Sequence, residues 1–163
     1  GHPTSENVAA VILKRLTVEW PNDQRFAEAI RSRPLYGSAV ARHVILEYDK
    51  SLGTDYPTSE IGTIEHVMPT SWSENLADVI SRAEHAKFKD LWANLIPLTE
   101  KINQAVAQSA FSIKRKIFER ESIYISARNL GAKYETWGVQ EIQERSEELS
   151  TWAIERWKRP NST

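Results

Sequence analysis

The residues with the clearest chemical potential are Glu65 and His66, adjacent near the end of a short β-branched run that Pro69 closes. Neighbours on a strand point to opposite faces, but at a strand end beside a proline both side chains can reach one cleft. A carboxylate can hold a hard divalent cation, and a neutral imidazole, with an ordinary pKa of ~6.5, can take a proton from water. The pair therefore suits metal-assisted phosphodiester hydrolysis, although alone such a pair is more often structural.

Two asparagines follow this pair at a suggestive spacing. Asn94 comes 28 residues after His66, and Asn103 comes nine residues after Asn94. The apolar run Leu95–Leu98 between the asparagines predicts a second short strand, and Pro97 makes it an edge or irregular strand. The sequence thus places one asparagine just before this strand and the other on the helix that follows it.

Hydrophobic periodicity predicts a mostly helical scaffold around these residues. The two strands are expected at 64–67 and 95–98, and a helix at 99–106 follows them directly. Further helices are predicted within 7–20, 26–30, 40–53, 73–91 and 111–118, the last capped by Ser109, and from Thr136 or Trp137 to just before Pro160. The predicted fold class is α+β, mostly α-helical, with helices surrounding a small ββα unit.

Composition excludes several classes of protein. The chain has 163 residues, and its 40% hydrophobic and 26% charged residues are typical of a globular domain. It has no cysteine, which excludes disulfides, thiolate nucleophiles and cysteine metal sites. No apolar run is long enough for a membrane span, so we expect no membrane association and a cytoplasmic protein. The net charge of -1 excludes a globally basic nucleic-acid binder but not a local basic face.

We expect one compact domain with three segments. Residues 1–57 form a helical lead-in, 58–120 hold the paired strands and a basic helix, and 121–163 form a C-terminal helical cap. Gly1 and His2 are interpreted as a cloning remnant, and the chain as a piece of a longer protein. His85 lies in a polar helical stretch and is expected at the surface.

The motifs together resemble the HNH, or ββα-metal, nucleases. The acidic residue and histidine at 65–66, the Asn94-Leu95 pair and Asn103 match that pattern in order and type. The longer stretches 63–69, 91–98, 102–103 and 111–114 resemble the HNH domain at the C-terminal end of GmrSD-type restriction proteins, a likeness that extends from about residue 20 to residue 157. Such domains follow an N-terminal ParB-like nucleotide-binding domain and restrict foreign or modified DNA.

The resemblance implies a role for each matching residue. His66 would be the general base that activates water, and Asn94 would brace the loop between the strands and position His66. Glu65 and Asn103 would be metal ligands for Mg²⁺ or Mn²⁺, since oxygen ligands favour hard cations. Lys114 would lie near the phosphate or stabilise the leaving group. The implied partner is double-stranded DNA in a bacterial restriction or antiviral defence system.

Local charge supports a nucleic-acid partner. Residues 82–120 carry eight basic and four acidic side chains, a net charge of +4 within a chain of net charge -1. Such asymmetry suits a groove that follows phosphates with little sequence specificity, although solvated helix faces would look the same. The residues expected to contact DNA are Lys101, Gln108, Lys114, Arg115, Lys116 and Trp72.

One departure from the family keeps a second function open. The family often has asparagine five residues after the Asn103 position, where this chain has Gln108, and a longer amide there would change the geometry. The alternative is therefore a catalytically silent DNA-binding or protein-docking module on the same scaffold. A purely structural helical domain leaves the coincidence of Glu65-His66, Asn94 and Asn103 unexplained.

Overall fold

Seven α-helices and one two-stranded sheet make up the described part of this computed structural model, which comprises residues 21–55, 62–107 and 109–158. In chain order the elements are α1 (Asp23–Ser32), α2 (Ala41–Ser51), β1 (Thr63–His66), α3 (Arg82–Phe88), β2 (Leu95–Leu98), α4 (Glu100–Val106), α5 (Phe111–Glu121), α6 (Ile125–Lys133) and α7 (Val139–Arg156). The predicted class, α+β and mostly α-helical, is confirmed.

The two strands and the helix after them form the predicted ββα unit. β1 and β2 pair antiparallel, with Thr63 opposite Leu98 and His66 opposite Leu95. All four residues of β2 are buried, so its proline occupies a strand that is covered by the rest of the chain. Thr99 caps α4 by accepting a hydrogen bond from the Ile102 backbone, which turns the chain from strand into helix without a loop.

The segment between the strands is less helical than expected. We predicted a helix within 73–91, but the structure has a short 3₁₀ turn at Glu74–Leu76, α3, and a second 3₁₀ turn at Trp92–Asn94. The capping box of Ser81 and Glu84 fixes the start of α3, because each side chain accepts a hydrogen bond from the other residue's backbone. The local cap therefore divides a stretch whose polarity alone resembled one continuous helix.

Two helices lie in the described part of the segment expected as a helical lead-in. α1 begins after Asn22, whose side chain accepts a hydrogen bond from the Arg25 backbone, and α2 covers most of the predicted range 40–53. The helix predicted within 7–20 lies outside the described residues. Arg42 and His43 are exposed on α2.

The chain between α5 and α7 holds a helix that the sequence analysis missed. α6 packs closely on α5 at Gly131, where an added Cβ would lie 2.3 Å from the Arg115 carbonyl oxygen. Any larger residue would push the two helices apart, so this position requires glycine. The start of α5 was also predicted wrongly, because its N-cap is Ala110, without a side-chain hydrogen bond, and not Ser109.

The hydrophobic core draws on helices from both ends of the chain as well as on the sheet. Ile45 of α2, Leu95 of β2 and Leu149 of α7 are among its buried members. The apolar face predicted for the last helix is confirmed, with Ile142, Leu149 and Ala153 fully buried. None of the helices in the described ranges has the length and apolarity needed to cross a membrane.

Candidate active-site cleft

Four of the predicted site residues line one cleft. Its volume is about 760 Å³, and Glu65, His66, Asn103 and Lys114 all contribute to its wall. β1 supplies the first two, α4 supplies the asparagine, and the first turns of α5 supply the lysine. The loop after β1 forms the rest of one side, so the ββα unit and α5 together build the cleft.

Glu65 and Lys114 form a buried ion pair. The lysine Nζ lies 2.6 Å from Oε1 of Glu65 and 3.3 Å from the His66 carbonyl oxygen. The side chains are 1% exposed for the lysine and 12% for the glutamate. A buried ammonium needs such partners to offset its desolvation, so α5 is fixed to β1 by a charge pair at the cleft.

His66 contacts a carboxylate that the sequence analysis did not predict. Its Nε2 lies 3.0 Å from Oδ1 of Asp90, and the Tyr36 ring packs edge-on against the imidazole with 4.3 Å between centroids. Burial raises the pKa of Asp90, but hydrogen bonds from His66 and Lys89 outweigh it, so the pKa of this carboxyl lies below its ordinary value. The carboxylate is therefore ionised at neutral pH and accepts a hydrogen bond from the imidazole.

Asn94 ties the loop after β1 to three other parts of the chain. Its Oδ1 accepts hydrogen bonds from the Met68 backbone at 2.8 Å and from Trp137 Nε1 at 2.9 Å. Its Nδ2 donates to the carbonyl oxygens of Met68 and Lys89. The side chain is completely buried and uses both its donors and its acceptor, so the first residues after His66 are held from within the fold.

Asn103 faces the cleft from α4. Its Nδ2 donates to the hydroxyl of Thr63 at 2.7 Å, which orients the amide against β1. Its Oδ1 makes no hydrogen bond with the described residues, so a hard oxygen donor remains available in the cleft that Glu65 also lines.

The donors in the cleft fit a hard divalent cation that keeps part of its hydration shell. No group of three or more His, Cys, Asp or Glu side chains capable of holding a metal occurs among the described residues. Mg²⁺ typically takes only one or two carboxylates and completes its shell with waters and phosphate oxygens. Glu65 and Asn103 supply one carboxylate and one amide oxygen, which matches that need.

The charges along the cleft also favour a cation. Among the described residues that line it, the charged side chains besides the histidine are Glu65, Glu135 and Lys114. The ammonium is already paired with one of the two carboxylates. The lining therefore carries a surplus negative charge, and a cation bound there would reduce the repulsion of a phosphate.

Of the described residues expected to contact DNA, Lys114 alone lines the cleft. Lys101 and Lys116 are exposed, outside the cleft wall. Arg115 donates from Nε to the carbonyl oxygens of Gly131 and Tyr134, and so binds the end of α6. Gln108 lies outside the described residues.

Trp72 does not line the cleft. Its Nε1 donates to the Ile80 carbonyl oxygen, and the Arg82 guanidinium lies 5.5 Å from the ring centroid. The indole therefore closes the loop before α3, and one ring face is occupied by a cation. The expectation for His85 was wrong, since this residue is buried and its Nε2 hydrogen-bonds the Pro69 carbonyl oxygen at 2.7 Å.

Two residues that support the site come from the C-terminal segment. Arg145 donates from Nη1 to the carbonyl oxygens of Ala93 and Leu95, on both sides of Asn94, and Trp137 donates to Asn94 itself. The sequence did indicate that Arg145 is buried, because this residue lies between Ile142 and Leu149 in the apolar stripe of α7. Asp90 gave no such signal.

Comparison with known proteins identifies the family of this chain. A family model described as "GmrSD restriction endonucleases, C-terminal domain" matches residues 20–152, which confirms the family expected from the motifs. No curated protein and no solved structure matches the chain. Since the family model covers more than half of the sequence, the chain belongs to the C-terminal domains of GmrSD restriction endonucleases.

Proposed function

We propose that this domain is an HNH-type, metal-dependent endonuclease that hydrolyses phosphodiester bonds of double-stranded DNA. The observation that carries the proposal is the single cleft to which Glu65, His66, Asn103 and Lys114 all contribute. These residue types supply a base, two hard oxygen donors and a cation, which are the groups that phosphodiester hydrolysis requires. Membership of a restriction endonuclease family agrees with this chemistry.

His66 is proposed as the general base. Its Nε2 is occupied by Asp90, which leaves Nδ1 to accept a proton from water as the water oxygen attacks phosphorus. The bond between phosphorus and the leaving oxygen then breaks, and that oxygen takes up a proton from solvent. Lys114, at the wall of the cleft, offsets negative charge on the phosphate or on the leaving oxygen.

Glu65 and Asn103 are proposed to hold Mg²⁺ or Mn²⁺. One oxygen of the Glu65 carboxylate contacts the ammonium of Lys114. The other carboxylate oxygen and the free amide oxygen of Asn103 would be the metal ligands. When bound, the cation would stabilise the charge that develops on the phosphate. It would also reverse the surplus negative charge of the lining, so that DNA can approach.

The wider setting is proposed from the family. In this proposal the domain acts in the bacterial cytoplasm as the effector of a restriction or antiviral defence protein, after an N-terminal ParB-like nucleotide-binding domain. Lys101 and Lys116 are exposed and would contact backbone phosphates. Such contacts add affinity without sequence information, so the selection of target DNA falls to another part of the protein.

The test is cleavage of supercoiled plasmid by the wild type and His66→Ala with Mg²⁺, Mn²⁺ or EDTA. A matched control is His43→Ala, which removes an exposed imidazole on α2. We expect nicked or linear DNA from the wild type and the control, and none with EDTA. A general base contributes roughly 10²- to 10⁴-fold, so His66→Ala should lose activity on that scale while still binding DNA.

The alternative is a catalytically silent DNA-binding or protein-docking module. Two observations favour it: the His66 side chain is only 7% exposed, and an ammonium already neutralises Glu65. This alternative predicts DNA binding without turnover in any divalent metal, and unchanged binding by His66→Ala. Full nuclease activity of His66→Ala would refute the assigned base.

A further inference from the structure

We propose that Asp90 is a positioning residue for this site, and that it fixes His66 in the tautomer whose Nδ1 can act as a base. The catalytic part of this inference rests on the proposed function. The geometry that carries the inference is the 3.0 Å contact between Asp90 Oδ1 and His66 Nε2. Further contacts hold both the side chain and the backbone of Asp90 in place.

The direction of this hydrogen bond follows from the charges around the carboxyl group. Lys89 Nζ lies 3.3 Å from the second carboxylate oxygen, Oδ2, so both oxygens of Asp90 face donors. Because an ionised carboxylate can only accept, the hydrogen of a neutral imidazole must reside on Nε2. The lone pair then lies on Nδ1, which makes no hydrogen bond with the described residues.

The backbone of Asp90 is held as firmly as its side chain. Its carbonyl oxygen accepts hydrogen bonds from the Leu35 and Tyr36 backbones at 2.8 and 3.1 Å. Tyr36 in turn packs its ring against the imidazole. Asp90 therefore determines two contacts of the His66 imidazole: its own carboxylate binds the ring, and its backbone holds the segment that places the Tyr36 ring against it.

The preceding residue connects this arrangement to the turn before β2. Lys89 offers its carbonyl oxygen to Asn94 Nδ2 at 2.8 Å. The segment that presents Asp90 is thus bound to the same asparagine that fixes the loop after His66. Asp90 is therefore held in place independently of the imidazole that it contacts, and a positioning residue needs such an anchor.

The test compares Asp90→Asn and Asp90→Ala with Asp78→Asn, which removes an exposed carboxylate from the loop before α3. Loss of groups that orient a catalytic side chain typically costs 10- to 100-fold. We therefore expect kcat for plasmid cleavage to fall by roughly that factor in both Asp90 variants, with KM for DNA and urea midpoints near wild type. Asp78→Asn should leave kcat unchanged.

A spectroscopic readout separates this inference from the nuclease assignment. Nitrogen-15 NMR of the imidazole, at about pH 8, reports which nitrogen carries the hydrogen, independently of activity. We expect protonated Nε2 in the wild type and a mixture of tautomers in both Asp90 variants. Protonated Nδ1 in the wild type, or an unchanged kcat in Asp90→Ala, would overturn the inference. A wild type with protonated Nε2 but no cleavage would support the tautomer and count against the proposed nuclease.

Discussion

Replacement of Asn94 by aspartate should make the stability of the domain strongly dependent on pH. The amide nitrogen donates to the carbonyl oxygens of Met68 and Lys89, at 3.1 and 2.8 Å. Asn94→Asp puts an oxygen there, within a completely buried site, while leaving the acceptor for Met68 and Trp137 in place. The shape of the side chain is conserved, so the change isolates the two donors.

The magnitude follows from the hydrogen bonds and from burial of the charge. A protonated carboxyl keeps one donor and loses one, which costs about 1 kcal/mol. An ionised carboxylate would face two carbonyl oxygens, so the folded protein should raise the pKa of the introduced group by roughly 3 to 5 units. Each unit is worth about 1.4 kcal/mol.

The sign of the pH effect is fixed by that raised pKa. In the unfolded chain the group loses its proton near pH ~3.9, whereas the folded state retains the proton to higher pH, so stability falls as pH rises between the two values. We expect a loss in the free energy of unfolding of about 2.5 kcal/mol at pH 5 that grows to about 5 to 6.5 kcal/mol at pH 8.

The assay is urea denaturation of wild type, Asn94→Asp and Asn75→Asp at several pH values. Asn75 is exposed, so its replacement introduces the same charge without burial and should leave the pH dependence at the wild-type level. If Asn94→Asp and Asn75→Asp showed parallel pH profiles, the reasoning about the two buried donors would be refuted.

Three further substitutions test other contacts of the site. Lys114→Met leaves the Glu65 carboxylate buried without its partner and should lower the free energy of unfolding by about 3 to 5 kcal/mol. Addition of Glu65→Leu should recover part of that loss, and urea denaturation of both variants measures the two effects. Arg145→Met removes the donor to two buried carbonyl oxygens and should cost about 3 kcal/mol by the same assay. A loss below about 1 kcal/mol would contradict a stabilising role of these two hydrogen bonds. Tyr36→Ala removes an aromatic contact worth about 1 kcal/mol and uncovers the His66 imidazole, so its modification by diethyl pyrocarbonate, followed by mass spectrometry, should be faster than in wild type.

The ββα unit could be predicted from the sequence because local residue patterns define each of its elements. The strands at 63–66 and 95–98 and the helix that begins at Glu100 were found from short apolar runs and from Pro69. Each of these signals acts within a few residues of the element that it defines. The joint contribution of Glu65, His66 and Asn103 to one cleft follows from that topology, because a strand pair and the next helix can meet at one end.

The contacts that hold the site could not be predicted in the same way. Asp90 meets His66 across 24 residues, and Arg145 meets Ala93 across 52. Such pairs depend on how distant segments of the chain pack together, and no local pattern encodes that packing. α6 was missed for a related reason, since its contact with α5 depends on Gly131, a residue that lowers helix propensity in the sequence.

The network around Asn94 indicates that the ββα unit does not fold apart from the C-terminal helices. A two-stranded sheet alone is marginally stable in water, and the turn at Trp92–Asn94 is completely buried. Its polar groups are paired with Trp137 and Arg145 from the last part of the chain. Without those partners the buried amide and the carbonyl oxygens beside it would lose hydrogen bonds, each at a cost of about 1 to 3 kcal/mol. The C-terminal segment therefore acts on the cleft through the turn that holds Asn94, with Trp137 bonded to the asparagine and Arg145 to the carbonyl oxygens on either side of it. Substitutions far from His66 in the sequence should alter the site as directly as substitutions beside it.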